Sequence, residues 1–124
     1  MKMTPAQIKD GLRNFHGTER YHRITTFGGL QATDGVAWLT ENAECYWLIE
    51  DIGIYQMDRK IRGNPELQDF QVWKLTVKDS VGTLTCEDGN DNVVLTHHVS
   101  WTDFPLPVIV IWVENKVLLL PTEH

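Results

Sequence analysis

The residues best suited to chemistry in this sequence are a cysteine and two histidines in its second half. Cys86 precedes the adjacent pair His97 and His98, and a cysteine beside an imidazole can act as a thiolate nucleophile. A hairpin with a two-residue loop at 89–90 would pair Cys86 with Val93 and leave His97 about 13 Å further along the sheet, while His98 would point to the other face. Because proton transfer requires contact at about 3 Å, we expect Cys86 to be a small buried core residue.

The histidines and cysteines are not spaced as metal ligands. His97 and His98 are adjacent in a predicted strand, so their rings diverge, and His16 and His22 are six positions apart. The sequence contains neither a zinc-type Cys/His set nor a His-x-x-x-His helix face. We therefore predict no metal site and no cofactor.

Acidic residues gather around a predicted hairpin tip at Gly89-Asn90, where Glu87, Asp88 and Asp91 flank the glycine. Asp and Asn favour such turns because their side chains bond the neighbouring backbone. A calcium ion binds about six or seven oxygen ligands, and a tip this short does not provide that many. We interpret these residues as a turn and not as an acid–base or calcium site.

Five tryptophans are an unusual number for a chain of 124 residues. Most of them must be core residues, but Trp38 lies off the apolar stripe of its predicted helix and Trp101 lies near a proline-rich segment. We expect these two to be exposed aromatic anchors, the residue type that is enriched in binding hot spots. With Phe104 and Trp112 they form our set of candidate protein-interaction residues, and no residue is predicted to be catalytic.

The first half of the chain predicts the helices that position these residues. Thr4 is a good N-cap, Pro5 stands at the first helical position, and Gln7 completes a capping box. The apolar stripe that follows ends near 14–15. These signals predict the first helix.

A second helical pattern covers 34–57, as one long helix or as two that meet near 44–45. Gly53 disfavours the interior of a helix, so we expect another element to pack closely at that position. The preceding stretch 21–27 is rich in β-branched and aromatic residues and indicates a short edge strand.

The period of the apolar residues changes from helical to alternating at Phe70. Strands are predicted at 70–78, 83–87, 93–99, 108–113 and 117–120. We therefore expect a single α+β domain covering residues 1–124. Its two to three helices, in the helical half at about 4–57, end before a turn at 63–65. They pack on a four- to five-stranded antiparallel meander at about 70–120.

The strand at 108–113 is apolar at every position, whereas a strand with one wet face alternates. We therefore expect both of its faces to be buried. A few short helices can cover one side of the sheet, so the other side needs either a sheet that curls on itself or a partner chain. We predict a protein partner or a homodimer formed through the hairpin 108–120.

Charge and composition disfavour several other partners. Eleven Lys and Arg against 17 Asp and Glu give a net charge of −6, which disfavours binding to nucleic acid. The carboxylates are spread from Asp10 to Glu123, which argues against a nucleic-acid mimic. No apolar run approaches the ~18 residues of a membrane span, and none follows Met1 as a secretory signal would. Cys45 and Cys86 have no metal or redox spacing, so we expect a cytoplasmic protein with reduced thiols.

Motifs along most of the chain match those of a known family. They are Gly17-Thr18-Glu19-Arg20-Tyr21, Thr33-Asp34-Gly35-Val36, Tyr46-Trp47-Leu48, Phe70-Gln71-Val72-Trp73-Lys74-Leu75, Leu84-Thr85-Cys86-Glu87-Asp88-Gly89-Asn90, Thr102-Asp103-Phe104-Pro105-Leu106 and Leu118-Leu119-Leu120-Pro121. In this order they resemble a family of small uncharacterised bacterial proteins, a domain of unknown function often found on phage or other mobile elements. The resemblance implies no activity; it implies an accessory gene of a mobile element, and such genes often encode small proteins that bind host proteins.

The function that these observations favour is a non-enzymatic protein-interaction module, an accessory of a mobile element that binds or inhibits a host protein. The alternative is a small enzyme or ligand-binding protein with a site between helix and sheet. A concave pocket that holds His22, Asp103 or Cys86, together with a strongly shifted pKa, would favour that alternative. A second alternative is an acidic nucleic-acid mimic, which a one-sided carboxylate surface would support.

Overall fold

Residues 3–124 are described by a computed structural model, and within them all five α-helices precede the main strands in the chain. The helices are α1 (Pro5–Leu12), α2 (Asp34–Asn42), α3 (Tyr46–Tyr55), α4 (Arg59–Arg62) and α5 (Pro65–Asp69). The strands are β1 (Gln31–Ala32), β2 (Phe70–Lys78), β3 (Val81–Glu87), β4 (Val93–Val99), β5 (Val108–Glu114) and β6 (Val117–Leu119). A short 3-10 helix, Pro121–Glu123, follows β6. This arrangement confirms the α+β class.

Helix α1 begins where the capping signals predict. The Thr4 hydroxyl accepts the Gln7 N–H at 3.2 Å, and the Gln7 side chain accepts the Thr4 N–H at 2.9 Å. The helix ends at Leu12, two to three residues before the predicted end. Gly11 is required within it because the benzo ring of Trp38 packs on its Cα, and a Cβ there would overlap that ring.

The pattern at 34–57 forms two helices. Glu44 adopts a positive φ of 52° between α2 and α3, which no continuous helix can contain. The expected close approach at Gly53 is confirmed, because a Cβ on Gly53 would lie 2.6 Å from the carbonyl oxygen of Phe27. The loop before β1 therefore crosses α3 at a position where only glycine fits.

Two predicted boundaries are wrong. The helical part does not end at 63–65, because Asn64 caps a further short helix, α5, and its side chain accepts the Glu66 N–H at 3.0 Å. The predicted strand at 21–27 reduces to a single antiparallel bridge between His22 and Ala32. The residues of this stretch favour a strand, but the chain here forms the tight loop that crosses α3 at Gly53.

The sheet is larger than predicted. Six strands stand in the order β1-β6-β5-β2-β3-β4, and the β1/β6 pair is parallel. Only β2, β3 and β4 form the expected meander. The extra strand, β1, comes from between α1 and α2, where its two residues pair with Val117 and Leu118 at the edge of the sheet.

The helices cover one face of the sheet. Trp73 and Leu75 of β2 and Ile111 of β5 are buried on that face. The sheet does not curl over the second face of 108–113, because Val108 is 42% exposed and Val110 is only half-buried, and its burial by a partner chain stays a prediction. The outer face of β5 therefore meets solvent.

The β3–β4 register also differs from the two-residue hairpin predicted above. Cys86 lies opposite Leu95 and His97 lies opposite Leu84, with an irregularity between Cys86 and Glu87. The loop is longer because the Asp88 carboxylate accepts backbone N–H groups from Asn90 at 2.8 Å and Asn92 at 3.3 Å. The pKa of Asp88 lies below its ordinary value. The hydrogen bond from the Asn92 side-chain amide is the largest cause, and the two backbone bonds add to it.

A buried carboxylate fixes the start of α2. Glu123 accepts the hydroxyl of Thr33 at 2.6 Å, the N–H of Gly35 at 3.1 Å and the N–H of Leu120 at 3.0 Å. A Cβ on Gly35 would lie 2.6 Å from Oε1 of Glu123. Carboxylates stabilise helix N-termini because the N–H groups there lack helical partners.

Candidate functional site

The outer face of the sheet carries an apolar cluster that the helices leave uncovered. We define the outer cluster as Phe70 and Val72 of β2 with Val108, Val110 and Trp112 of β5. Val72 lies opposite Trp112 across the two strands. The ring centroids of Phe70 and Trp112 are 5.2 Å apart with an interplanar angle of 73°, an edge-to-face geometry that aromatic pairs favour. The outer cluster is therefore an ordered patch within the single chain.

Polar and aromatic contacts hold the large rings of the outer cluster in place. The ring of His124 lies edge-on to Trp112 with centroids 5.4 Å apart, and its Nε2 is 2.9 Å from a carboxylate oxygen of Glu114. On the other side, a Cβ on Gly89 would lie 3.2 Å from the Phe70 ring. The two rings are thus fixed from both ends, which lowers the conformational entropy lost on binding.

An apolar groove of about 280 Å³ adjoins the outer cluster. Its walls include Leu12 of α1, Val108 and Val110 of β5, and Leu120 after β6. The groove therefore extends the apolar patch around the start of β5 towards α1.

Charges of both signs lie on the outer face beside the outer cluster. Lys74 is opposite Val110, and Glu87 is opposite Val72 in the strand registers. Thr76, Thr83, Thr85 and Thr96 occupy four further outward positions of β2, β3 and β4, and Lys78, Val81, Val93 and His98 occupy others. An apolar centre with a polar surround is the usual composition of a protein-binding surface.

The structure places Cys86 where the sequence predicts, in the core. Its side chain is fully buried, and burial is the main cause that raises the pKa of the thiol to about 12, with smaller contributions from Glu87 and Asp88. At neutral pH it is therefore a protonated thiol and not a thiolate, which is the nucleophilic form.

His97 has a different partner from the one considered in the sequence. Its Nδ1 is 2.7 Å from the Tyr55 hydroxyl, and its Nε2 is 3.8 Å from a carboxylate oxygen of Asp51. Burial is the main cause that raises the pKa values of Asp51 and Tyr55. The Tyr55 ring also packs on Trp73, so this polar group joins α3 to the sheet.

Comparison with known proteins identifies a family. The model of the "Family of unknown function (DUF6876)" matches residues 6–124. The chain belongs to this family. No curated protein and no solved structure matches the chain.

The DUF6876 match includes all four candidate interaction residues, but the fold separates them. Trp112 lies in the outer cluster, whereas Trp38 lies on the helical side of the sheet against α1. Trp101 is 67% exposed in the loop after β4. Phe104 is buried, at 5% exposure, and belongs to the core of the single chain.

Sequence reasoning missed part of the outer cluster. Phe70, Val72 and Val110 were not among the candidates, although they alternate with the inward residues of their strands. The signal in β2 was partial: Phe70 and Val72 are apolar on the outward face, but the inward position between them is Gln71, so this strand does not show the continuous apolar run of β5.

Of the three residues named for a ligand site, His22 lines a cavity on the helical side, together with Asp34. Cys86 is in the core and Asp103 is exposed in the loop before β5. Among residues 3–124, no group of three or more His, Cys, Asp or Glu side chains is placed to hold a metal ion. Within the same range, no helix has the length and apolar character needed to cross a membrane.

Proposed function

We propose that this DUF6876 chain is a protein-interaction module that self-associates through the outer cluster. One observation carries the proposal: β5 is apolar on both faces, and the helices cover one of them. Val108, Val110 and Trp112 alternate with Ile109 and Ile111, which already belong to the core. Exposed apolar patches rimmed by polar residues mark interaction sites.

A second copy is the occupant that the surface chemistry favours. A two-fold interface brings the same patch of both subunits together, so the patch must complement itself. The outer cluster offers aromatic and aliphatic side chains to its copy. Lys74, two positions along β2 from Val72, and Glu87, opposite Val72 on β3, offer opposite charges at one border of the cluster. The net charge of −6 opposes the approach of two copies at long range, so apolar burial supplies the attraction.

Trp112 is the residue that we expect to contribute most to this interface. It stands between Phe70 and His124, with its ring fixed by both. Tryptophan is enriched among binding hot spots, and such residues lie near the centre of an interface with polar residues around them. Phe70 and Val72 then complete the apolar floor around it.

Sedimentation equilibrium tests the proposal with two matched variants. Val108→Glu puts a charge into the outer cluster, and Ile54→Glu puts the same charge on α3 at a similar exposure, 42% against 46%. We expect the wild-type mass to rise from 14.3 kDa towards twice that value as concentration increases. Ile54→Glu should behave like the wild type, and Val108→Glu should remain a monomer up to a concentration about 100-fold higher.

A wild-type mass that stays at one chain over the whole concentration range would refute self-association. Equal behaviour of the two variants would refute the outer cluster as its site. In either case the host protein inferred from the mobile-element resemblance becomes the partner to test. Tagged Val108→Glu and Ile54→Glu chains would then be compared for the loss of one stoichiometric companion from host lysate.

A further inference from the structure

A cavity on the helical side of the sheet combines aromatic walls with acidic side chains. Its volume is about 390 Å³, within the usual range of small-ligand sites, roughly 300–1,000 Å³. Phe15, Trp38 and Tyr46 supply the aromatic part of its lining, and His22, Asp34 and Glu41 supply the ionisable part. The loop after α1, one side of α2 along its length and the start of α3 meet here.

The aromatic wall is fixed by the fold. Trp38 packs on Gly11, where any side chain would overlap its ring. The ring centroids of Phe15 and Trp38 are 5.7 Å apart with an interplanar angle of 47°. Aromatic faces carry a negative potential, which attracts a cation placed over them. Because the rings are held by α1, they do not have to be ordered when a ligand binds.

His22 and Asp34 are joined by a hydrogen bond at the cavity. Nε2 of His22 is 2.8 Å from Oδ1 of Asp34, and Oδ2 of Asp34 accepts the Glu19 N–H at 3.0 Å. These bonds lower the pKa of Asp34 below its ordinary value, with the His22 bond as the largest cause. An ionised Asp34 can only accept, so Nε2 carries the proton of the imidazole. In the neutral ring Nδ1 is then an acceptor, and it has no partner among residues 3–124.

Glu41 supplies a carboxylate at the cavity with no hydrogen-bond or ion-pair partner among the described residues. Among the cavity-lining residues within 3–124, two are carboxylates and none is Lys or Arg. A ligand at this position therefore meets acceptors, negative charge and aromatic faces together. These features suit a planar cation that carries N–H donors.

We infer that this cavity binds a small organic cation with N–H donors, an alkylguanidinium in the first instance. The guanidinium would lie over the Trp38 and Phe15 rings and donate to the Glu41 carboxylate and to Nδ1 of His22. The cavity lining shares no residue with the outer cluster, so the inference does not rest on the proposed self-association. It gives the ligand-binding alternative a location and a ligand class.

Two matched ligands test the inference. n-Butylguanidinium and n-butylurea have nearly the same shape, but only the first carries a charge. We would titrate each into the ¹⁵N-labelled chain and follow the indole N–H of Trp38 and the backbone N–H of Glu41. The guanidinium should give saturable shifts at both positions, and the urea should bind about tenfold more weakly. n-Butylammonium, a cation without the planar fork, should fall between them.

Glu41→Gln and Glu66→Gln form the matched pair of variants. Both remove one exposed carboxylate and the same charge, and Glu66 lies on α5, outside the cavity lining. Glu41→Gln should weaken n-butylguanidinium about tenfold, and Glu66→Gln should leave its affinity unchanged. Equal affinity for the guanidinium and the urea, absence of saturation, or an equal effect of the two substitutions would overturn the inference.

Discussion

The outer cluster and the helical-side cavity both contain a tryptophan against a second aromatic ring, yet their surroundings differ. Trp112 of the outer cluster pairs with Phe70 on a face that the chain leaves to solvent. Trp38 of the cavity pairs with Phe15 and is held against α1 at Gly11. The first is an apolar surface that gains by being covered. The second is a wall built into the packing, beside acceptors that have no partner in the described range 3–124.

Tryptophan content alone therefore does not locate a binding surface in this protein. Charge and hydrogen-bonding partners decide what each ring can bind. Lys74 and Glu87 flank the outer cluster with opposite signs, which suits another protein surface. Asp34 and Glu41 give the cavity one sign, which suits a cation.

The largest expected effect is on stability, at the buried carboxylate that caps α2. Glu123→Ala would leave the Thr33 hydroxyl and the N–H groups of Gly35 and Leu120 without their acceptor. We expect the free energy of unfolding to fall by about 3 kcal/mol, since each buried unpaired donor costs about 1–3 kcal/mol. Urea unfolding measures this, with Glu66→Ala as an exposed control expected within about 0.5 kcal/mol of the wild type. Equal losses in both variants would contradict the role of Glu123.

The next largest effect is a difference in stability loss between alanine variants of the two tryptophans. Trp38→Ala removes a ring packed on α1 and should lower the free energy of unfolding by about 2–3 kcal/mol, somewhat less than a fully buried tryptophan. Trp112→Ala should cost about 1 kcal/mol in the monomer, mainly the loss of its aromatic contacts. Urea unfolding at a concentration where the chain is monomeric gives both values. A Trp112→Ala loss as large as that of Trp38→Ala would show that the outer cluster belongs to the core.

A smaller effect tests how the cavity wall is fixed. Replacing glycine with alanine inside a helix normally stabilises it by about 1 kcal/mol. At Gly11 the added methyl overlaps Trp38, so Gly11→Ala should lower the free energy of unfolding by about 1 kcal/mol net. It should also weaken n-butylguanidinium binding and leave self-association unchanged.

Gly17→Ala is the control for this change, because a Cβ on Gly17 meets no atom within 4 Å. We expect it to alter neither stability nor binding beyond experimental error. If Gly11→Ala stabilised the protein, the claim that Trp38 packs directly on Gly11 would be refuted.

The smallest effect is a difference between the pKa values of Asp34 and Asp51. The His22 bond lowers the pKa of Asp34 below 3.8, whereas burial raises the pKa of Asp51 above 3.8. The stability contributed by Asp34 is therefore present above pH 3.8 and is lost as the pH falls through its folded-state pKa. Asp51 acts in the opposite direction, since its protonation favours the folded state. Carboxyl ¹³C titration should show Asp51 protonating first as the pH falls, and the reverse order would contradict these assignments.

The sequence predicted those parts of the fold that depend on local signals. The capping box at Thr4 and the alternation of Trp73 and Leu75 in β2 report on contacts within a few residues, and both are confirmed. The β3–β4 register was wrong because the Asp88 side chain reorganised the loop. Pairing of β1 with β6 was missed because it joins residues more than 80 positions apart.

The two candidate sites show the same limit. The apolar residues of 108–113 indicated a surface that needs a partner, because strand periodicity reveals which faces are apolar. The cavity was not predicted as a unit, because Phe15, His22 and Glu41 come together only when the loop after α1 folds onto α2. Two of its residues carried a sequence clue: Trp38 is predicted as an aromatic anchor, and His22 is named for a ligand site without its partner Asp34.

Fluorine NMR of the chain labelled with 5-fluorotryptophan tests the division between the two regions most directly, because each of the five tryptophans gives its own signal. Raising the protein concentration should shift the Trp112 signal and leave Trp38 in place. Adding n-butylguanidinium to a dilute sample should shift Trp38 and leave Trp112 in place. The account of two separate binding regions is wrong if neither the concentration series nor the ligand titration shifts its expected signal. It is also wrong if the Trp38 and Trp112 signals shift together in both experiments.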